Sequence, residues 1–338
     1  MSAPRIPLNF FGMPFGIAGL AGVWLTASEQ GDVTHWVGEV MLAVAAAVWA
    51  VTIGFYLAHA ATHRGRLAAD LVDPVAGPFA SLALITPMLL ASEGVAPHAG
   101  GAGTALVDVF LALTVIHGAW FTGQLIYRDL DFDRLHPGYF LPTVAGGLVA
   151  AATAGQVHQE RLGMAMLGYG LICWIILGSL ILGRLIFRPA LPAALLPTIA
   201  IEVAPAAVAS LAYFSLRGGR IDTFAAVLAG YGVLMALAQL RLLPAFLRLR
   251  FAPSFWAFTF GWAAVANASL HWIEWGAPAG HTAYTYLVLA AITALVGGIA
   301  ARTALALVRR QLLPPAAAPS TGPTAAPATR VPEPVAAA

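Results

Sequence analysis

Apolar residues in this chain come in long blocks of roughly 20 residues, divided by short stretches rich in arginine, aspartate, glycine and proline. A helix needs about 20 such residues to cross some 30 Å of hydrocarbon. Ten blocks qualify, near residues 8–27, 36–61, 78–94, 104–127, 138–156, 162–187, 194–216, 222–247, 254–275 and 282–307, with ends placed to within about four residues. The pattern predicts an all-α integral membrane protein of ten transmembrane helices. Because the connections are brief, consecutive helices should pair as antiparallel hairpins.

Composition agrees with the pattern: the chain of 338 residues is 60% hydrophobic and only 9% charged, where a soluble domain carries about a quarter charged residues. All 17 basic residues are arginine. Chemistry that needs a lysine, such as a Schiff base or a phosphate-binding P-loop, is therefore excluded. The single cysteine, Cys173, has no partner for an intrachain disulfide. The apolar N-terminal block follows Arg5 as a signal peptide would, but its proline and glycines favour a retained span.

Arginine also sets the expected orientation, since basic residues are retained in cytoplasmic loops. All but Arg161, Arg217 and Arg220 fall at the N-terminus, in the even-to-odd connections or after the last block. Both termini are thus expected in the cytoplasm. The domain boundary is placed at residue 310, and the Pro/Ala-rich segment 311–338 is expected to be a disordered cytoplasmic tail.

Pro14, Pro87, Pro142 and Pro205 fall inside the first, third, fifth and seventh blocks, and a further step reaches Gly261 in the ninth. The even blocks are expected to run unbroken, free of interior proline. Proline removes a helix hydrogen bond and bends the chain, and freed backbone groups are tolerated in a membrane only when covered by protein or facing a wet cavity. A five-fold repeat of broken and unbroken helices follows. The broken helices all run in one direction and can line a central pore, with the unbroken ones facing lipid.

Five stretches carry a resemblance: FFGMPFG at 10–16, HPGYFLPTVAG at 136–146, IEVAPAAVASLAYFSL at 201–216, GYGVLMALAQLRLLP at 230–244 and FWAFTFGWAAVANASL at 255–270. In order and spacing the chain resembles the family of bacterial tellurite-resistance proteins, plant slow-type anion channels and fungal C4-dicarboxylate carriers. The resemblance covers residues 8–310. It implies ten helices as five hairpins in a pseudo-five-fold ring around a pore, a homotrimer with a pore in each protomer, and a bacterial-type inner-membrane location. It further implies a phenylalanine gate in the ninth helix, which the match places at Phe260, followed by Gly261 as in the bacterial branch.

Read without the resemblance, Phe260 is an ordinary apolar aromatic, which faces lipid or a neighbouring helix more often than a pore. Its place beside Gly261 suits a ring that blocks ions by dewetting a constriction. Phe15, next to Pro14, can reach the same constriction. Glu202, about a turn before Pro205, is the conspicuous charge: an ionised acid at mid-membrane costs about 3 kcal/mol. Facing the lumen it would repel an anion, so it should be protonated, paired with an arginine such as Arg241, or turned from the axis. The bacterial relatives carry apolar or amide residues there, which keeps open a second reading, a proton-coupled carrier with Glu202 as the titrating group. Anion preference would come from the arginine-rich inner mouth and from the helix N-termini gathered there.

His59, His117 and His271 differ in depth, so hydrogen-bonded packing is preferred to haem ligation. Asp70, Asp73, Asp129, Asp131 and Asp133 read as solvated loop charges beside arginines. No nucleophile with its base, phosphate loop or zinc pattern is present in the sequence, so neither an enzyme nor a cofactor is expected. The expected partners are small anions and the lipid bilayer, with no nucleic acid.

Overall fold

The computed structural model describes residues 6–312. Arg5, Arg330 and the proposed tail beyond residue 312 lie outside the described residues. Ten long helices follow one another: α1 (Leu8–Glu29), α2 (Trp36–Thr62), α3 (Gly77–Val95), α4 (Gly100–Tyr127), α5 (Pro137–Gln156), α6 (Glu160–Phe187), α7 (Leu196–Leu216), α8 (Thr223–Phe246), α9 (Ala257–Gly276) and α10 (His281–Val308). Among the described residues, nine of them, all but α9, are long and apolar enough to cross a membrane. The exception has a local cause, because Thr259, Asn267, Ser269, His271 and Glu274 dilute the hydropathy of α9.

Odd and even helices have different surroundings. In the most apolar stretch of α5, 89% of residues are buried, against 17% in α8, so the odd helices form the interior and the even ones present their side chains outward. Val51, Ile116, Ile175 and Leu237 are among the exposed residues of the even helices. An apolar surface of this extent is stable in hydrocarbon, not in water. Each odd helix packs on its even successor, and α1, α3, α5, α7 and α9 touch in a closed cycle, α9 returning to α1.

Small residues make the close approaches, as expected where helices cannot rely on a hydrophobic contrast with their solvent. A Cβ on Gly147 of α5 would lie 2.8 Å from the backbone of Gly170 in α6. Gly147→Val should therefore force the two helices apart. Overpacking of this kind costs about 1–3 kcal/mol, and a lowered melting temperature in detergent, beside an unchanged control at the open Gly168, would check it.

Interhelix segments are anchored by specific polar contacts. Arg184, 2% exposed, donates to the Asp133 carbonyl from two guanidinium nitrogens and to the Pro189 carbonyl at 2.7 Å. Asp222 caps α8 by accepting from the N–H groups of Phe224 and Ala225. The hydroxyl of Tyr213 donates to the same carboxyl at 2.6 Å; that bond leads the causes that hold Asp222 below the usual carboxylate range.

The proline pattern needs correction. Every odd helix opens with a 3-10 turn: Leu8–Phe11, Gly77–Ser81, Pro137–Phe140, Leu196–Val203 and Pro253–Trp256. Prolines 78, 137, 197 and 253 stand at the start of these turns, and Pro7 immediately precedes the first. There the fixed φ is favourable and the missing N–H costs nothing. Pro14 and Pro205 lie in the first turn of the α-helical portions, directly after the 3-10 turns. Pro87 lies within the α-helical Leu82–Leu90, just before a π turn at Ala91–Val95, and Pro142 lies inside a π turn at Leu141–Ala145. Gly261 is in continuous α-helix and is a point of close approach: a Cβ there would meet the Ala200 carbonyl at 3.3 Å. Nor are the even helices free of proline, since Pro244 lies inside α8 near its end.

Candidate functional site

Two cavities lie within the odd helices, one on each side of Phe260. The proximal cavity, near the 3-10 openings, is about 50 Å³ in volume and is walled by residues of all five odd segments, including Gly12, Phe15, Leu82, Val144, Pro205, Val208 and Gly261. The distal cavity is about 520 Å³ and reaches the opposite ends of the same helices. Phe260 and Val208 wall both.

The Phe260 ring stacks on Phe15 with centroids 3.6 Å apart and planes 18° from parallel. The opposed rings are held by the glycines of α1. A Cβ on Gly19 would come 2.8 Å from Phe260 Cδ2, one on Gly16 would collide with Thr259, and one on Gly12 would meet Trp256. These glycines let α1 lie close against α9, and Gly19 leaves the space that the Phe260 ring fills. None of the three is distinctive in the sequence, because glycine is common in membrane helices.

The proximal cavity is almost wholly apolar. Its exceptions are Asn9 and Ser254, whose side-chain oxygens are buried without a hydrogen-bond partner. Both stand in 3-10 openings, and neither is marked by its sequence context. The distal cavity carries Glu29, Glu93 and Glu160 together with Gln156, His158, Asn267 and His271, and no described arginine lines it. The Glu93 carboxylate lies against the α1 backbone, 3.2 Å from where a Cβ on Gly22 would stand, and its Oε2 has no hydrogen-bond partner.

Of the residues singled out in the sequence, Phe15, Pro205, Phe260 and Gly261 wall the proximal cavity together; Pro14, Pro87, Pro142 and Glu202 wall neither. Glu202 is 4% exposed, has an unpartnered Oε1, and belongs to none of the ion pairs among the described residues. Arg241 is exposed. The histidines are dispersed: His59 stacks on His63, His117 on Trp120, and His271 packs against Phe214. Among the described residues no three His, Cys, Asp or Glu side chains form a group able to hold a metal ion. In the loops, Asp70 pairs with Arg66 at 2.7 Å and Asp133 with Arg188 at 3.1 Å.

The sequence profile of the family described as SLAC1, voltage-dependent anion channel, matches residues 5–304. Over 275 residues the chain is 29% identical to the tellurite resistance protein TehA homolog of Haemophilus influenzae, an alignment covering 78% of this chain and 80% of the relative.

Proposed function

This chain belongs to the SLAC1 family of voltage-dependent anion channels, and on that premise we propose that it is a membrane anion channel whose path is closed by Phe260. The observation that carries this reading is the meeting of two cavities at one stacked aromatic pair. An ion that leaves its water at an apolar constriction has nothing there to replace it, so the narrow point is a barrier until the ring moves. In this reading α1 to α10 are ten transmembrane helices in a five-fold ring. The odd helices line the pore, both termini are cytoplasmic, and the protein is a homotrimer in a bacterial-type inner membrane.

The proximal cavity then opens to the cytoplasm, beside most of the arginines. Positive charge at that mouth concentrates anions, and the Ser254 hydroxyl and Asn9 amide offer donors to an ion losing its hydration. Small inorganic anions and oxyanions are the proposed cargo, and a part in tellurite resistance belongs to the same proposal. Current through the purified protein in a planar bilayer with asymmetric potassium chloride tests the reading. Reversal near the chloride potential is expected; reversal near the potassium potential would refute anion selectivity.

The acids of the distal cavity favour one second reading, proton-coupled carriage of small anions such as C4-dicarboxylates. On this reading the sequence points to Glu202 as the titrating group, but Glu29, Glu93 and Glu160 are the acids that face the larger cavity. A carrier's uptake should follow an imposed pH gradient and be lost in Glu202→Gln or Glu93→Gln. Channel flux should persist without the gradient.

A further inference from the structure

Next to the proximal cavity, with which it shares Pro253, a pocket of about 200 Å³ lies between the segment that leads into α9 and the end of α10. Phe251, Ala252 and Pro253 form one wall; Arg302, Leu305 and Arg309 are prominent on the other. Arg302 lies in the last two turns of α10 and Arg309 is the residue that follows its end, and both line this one pocket. The Arg302 guanidinium sits 5.1 Å over the centre of the Phe251 ring, which holds its fork toward the pocket without neutralising it. Neither arginine takes part in any ion pair among the described residues. No described Asp or Glu lines the pocket.

We propose that this pocket binds the phosphate diester of an anionic phospholipid. Two guanidiniums present paired donors that match phosphate oxygens. The apolar floor of Phe251, Leu305 and Leu312 suits the glycerol and the first carbons of an acyl chain better than a fully hydrated ion. The pocket also joins a surface that lipid would cover, since Leu305, Leu307 and Val308 on the same helix end are exposed. A general excess of arginine at the inner face accounts for positive charge there. It does not account for two arginines outside any described ion pair closing around one aromatic floor at the end of α10.

The position connects the bound lipid to the path. Pro253 walls both this pocket and the proximal cavity. Trp256, at the end of the same 3-10 turn, donates its indole N–H to Thr303, the neighbour of Arg302, at 3.0 Å. Phe260 follows one turn later on α9. An occupied pocket therefore fixes the end of α10 against the base of the helix that carries Phe260.

Native mass spectrometry of the full-length protein, titrated with phosphatidylglycerol and with phosphatidylcholine, tests the assignment independently of conduction. Retained phosphatidylglycerol should fall about tenfold or more in Arg302→Gln/Arg309→Gln, fall in part in Arg302→Lys/Arg309→Lys, which keeps the charge and loses the paired donors, and remain in Arg248→Gln/Arg250→Gln, which removes the same charge from other positions. Phosphatidylcholine retention should not change in any of them, which also reports that the variants are folded. Equal loss in the Arg248/Arg250 variant, or no loss in the Arg302/Arg309 variant, would overturn the site. Displacement of the lipid by millimolar inorganic phosphate would overturn the lipid as its ligand and assign the pocket to a soluble oxyanion.

Discussion

Replacing Phe260 by alanine should turn a nearly silent protein into a conducting one. To leave the path, the ring must give up its stack on Phe15, worth about 1 kcal/mol, and bury its area elsewhere or lose about 2 kcal/mol of apolar burial. Against that combined cost the open population is of order one-hundredth of the closed one. Removing the ring should raise single-protein current by about that factor, with the gain read as current in a bilayer at fixed protein density. Phe15→Ala should give a smaller gain, because Phe260 remains in the path and loses only its partner. Gly19→Val bears on the same contact from behind, since a side chain there occupies the space now taken by the Phe260 ring.

The second large effect should come from Glu93→Gln. A carboxylate about 8 Å from a passing anion, at an effective dielectric near 20, raises the anion's energy by about 2 kcal/mol. Removing that charge should increase anion flux by up to about thirtyfold when the compartment facing the distal cavity is alkaline. Acidifying that compartment protonates the acid in the wild type, so wild-type flux should rise as pH falls while the variant's rises much less. Glu29, Glu160, His158 and His271 also wall the cavity. The control is therefore Glu29→Gln, which removes one carboxylate at the same wall and should flatten the pH dependence only in part. If Glu93→Gln leaves flux and its pH dependence unchanged, the distal cavity is not part of the path.

The succession of long helices along the chain was largely legible in the sequence, because in a membrane each element is announced by the length of its apolar block. Trp36–Thr62 and Glu160–Phe187 match their expected ranges within about two residues. The separation of buried odd helices from outward even ones was also legible, though the reason given for it was incomplete. Pro14 and Pro205, conspicuous in the sequence as interior prolines, stand where 3-10 turns pass into α-helix, and Gly261 is a packing contact. The more regular signal was the row of prolines at 7, 78, 137, 197 and 253, which marks the 3-10 opening of each odd helix. A proline at the edge of an apolar block reads as a loop residue, so that row was passed over.

The site was less legible than the fold. Phe260 came from resemblance; periodicity gives no reason to prefer it to Phe258 two residues earlier, which packs on Phe246 and Phe255 instead. Glu202 drew attention because it lies mid-block, where an acid is costly. Glu29 and Glu93 lie near block ends, where acids are ordinary, and only the packing of α1 on α3 brings them to the cavity. Likewise Gly12, Gly16 and Gly19 acquire meaning only from what stands opposite them on α9.

The central claim, one path interrupted at Phe260, is tested most directly by thiol accessibility from the two sides of an oriented membrane. In a Cys173→Ser background, single cysteines at Val144 in the proximal wall and at Asn267 in the distal wall would be exposed to a small charged thiol reagent. Each should react from its own side only, and removal of the Phe260 ring should let both react from either side. Reaction of both cysteines from both sides with Phe260 in place, or continued one-sided reaction after its removal, would contradict the account.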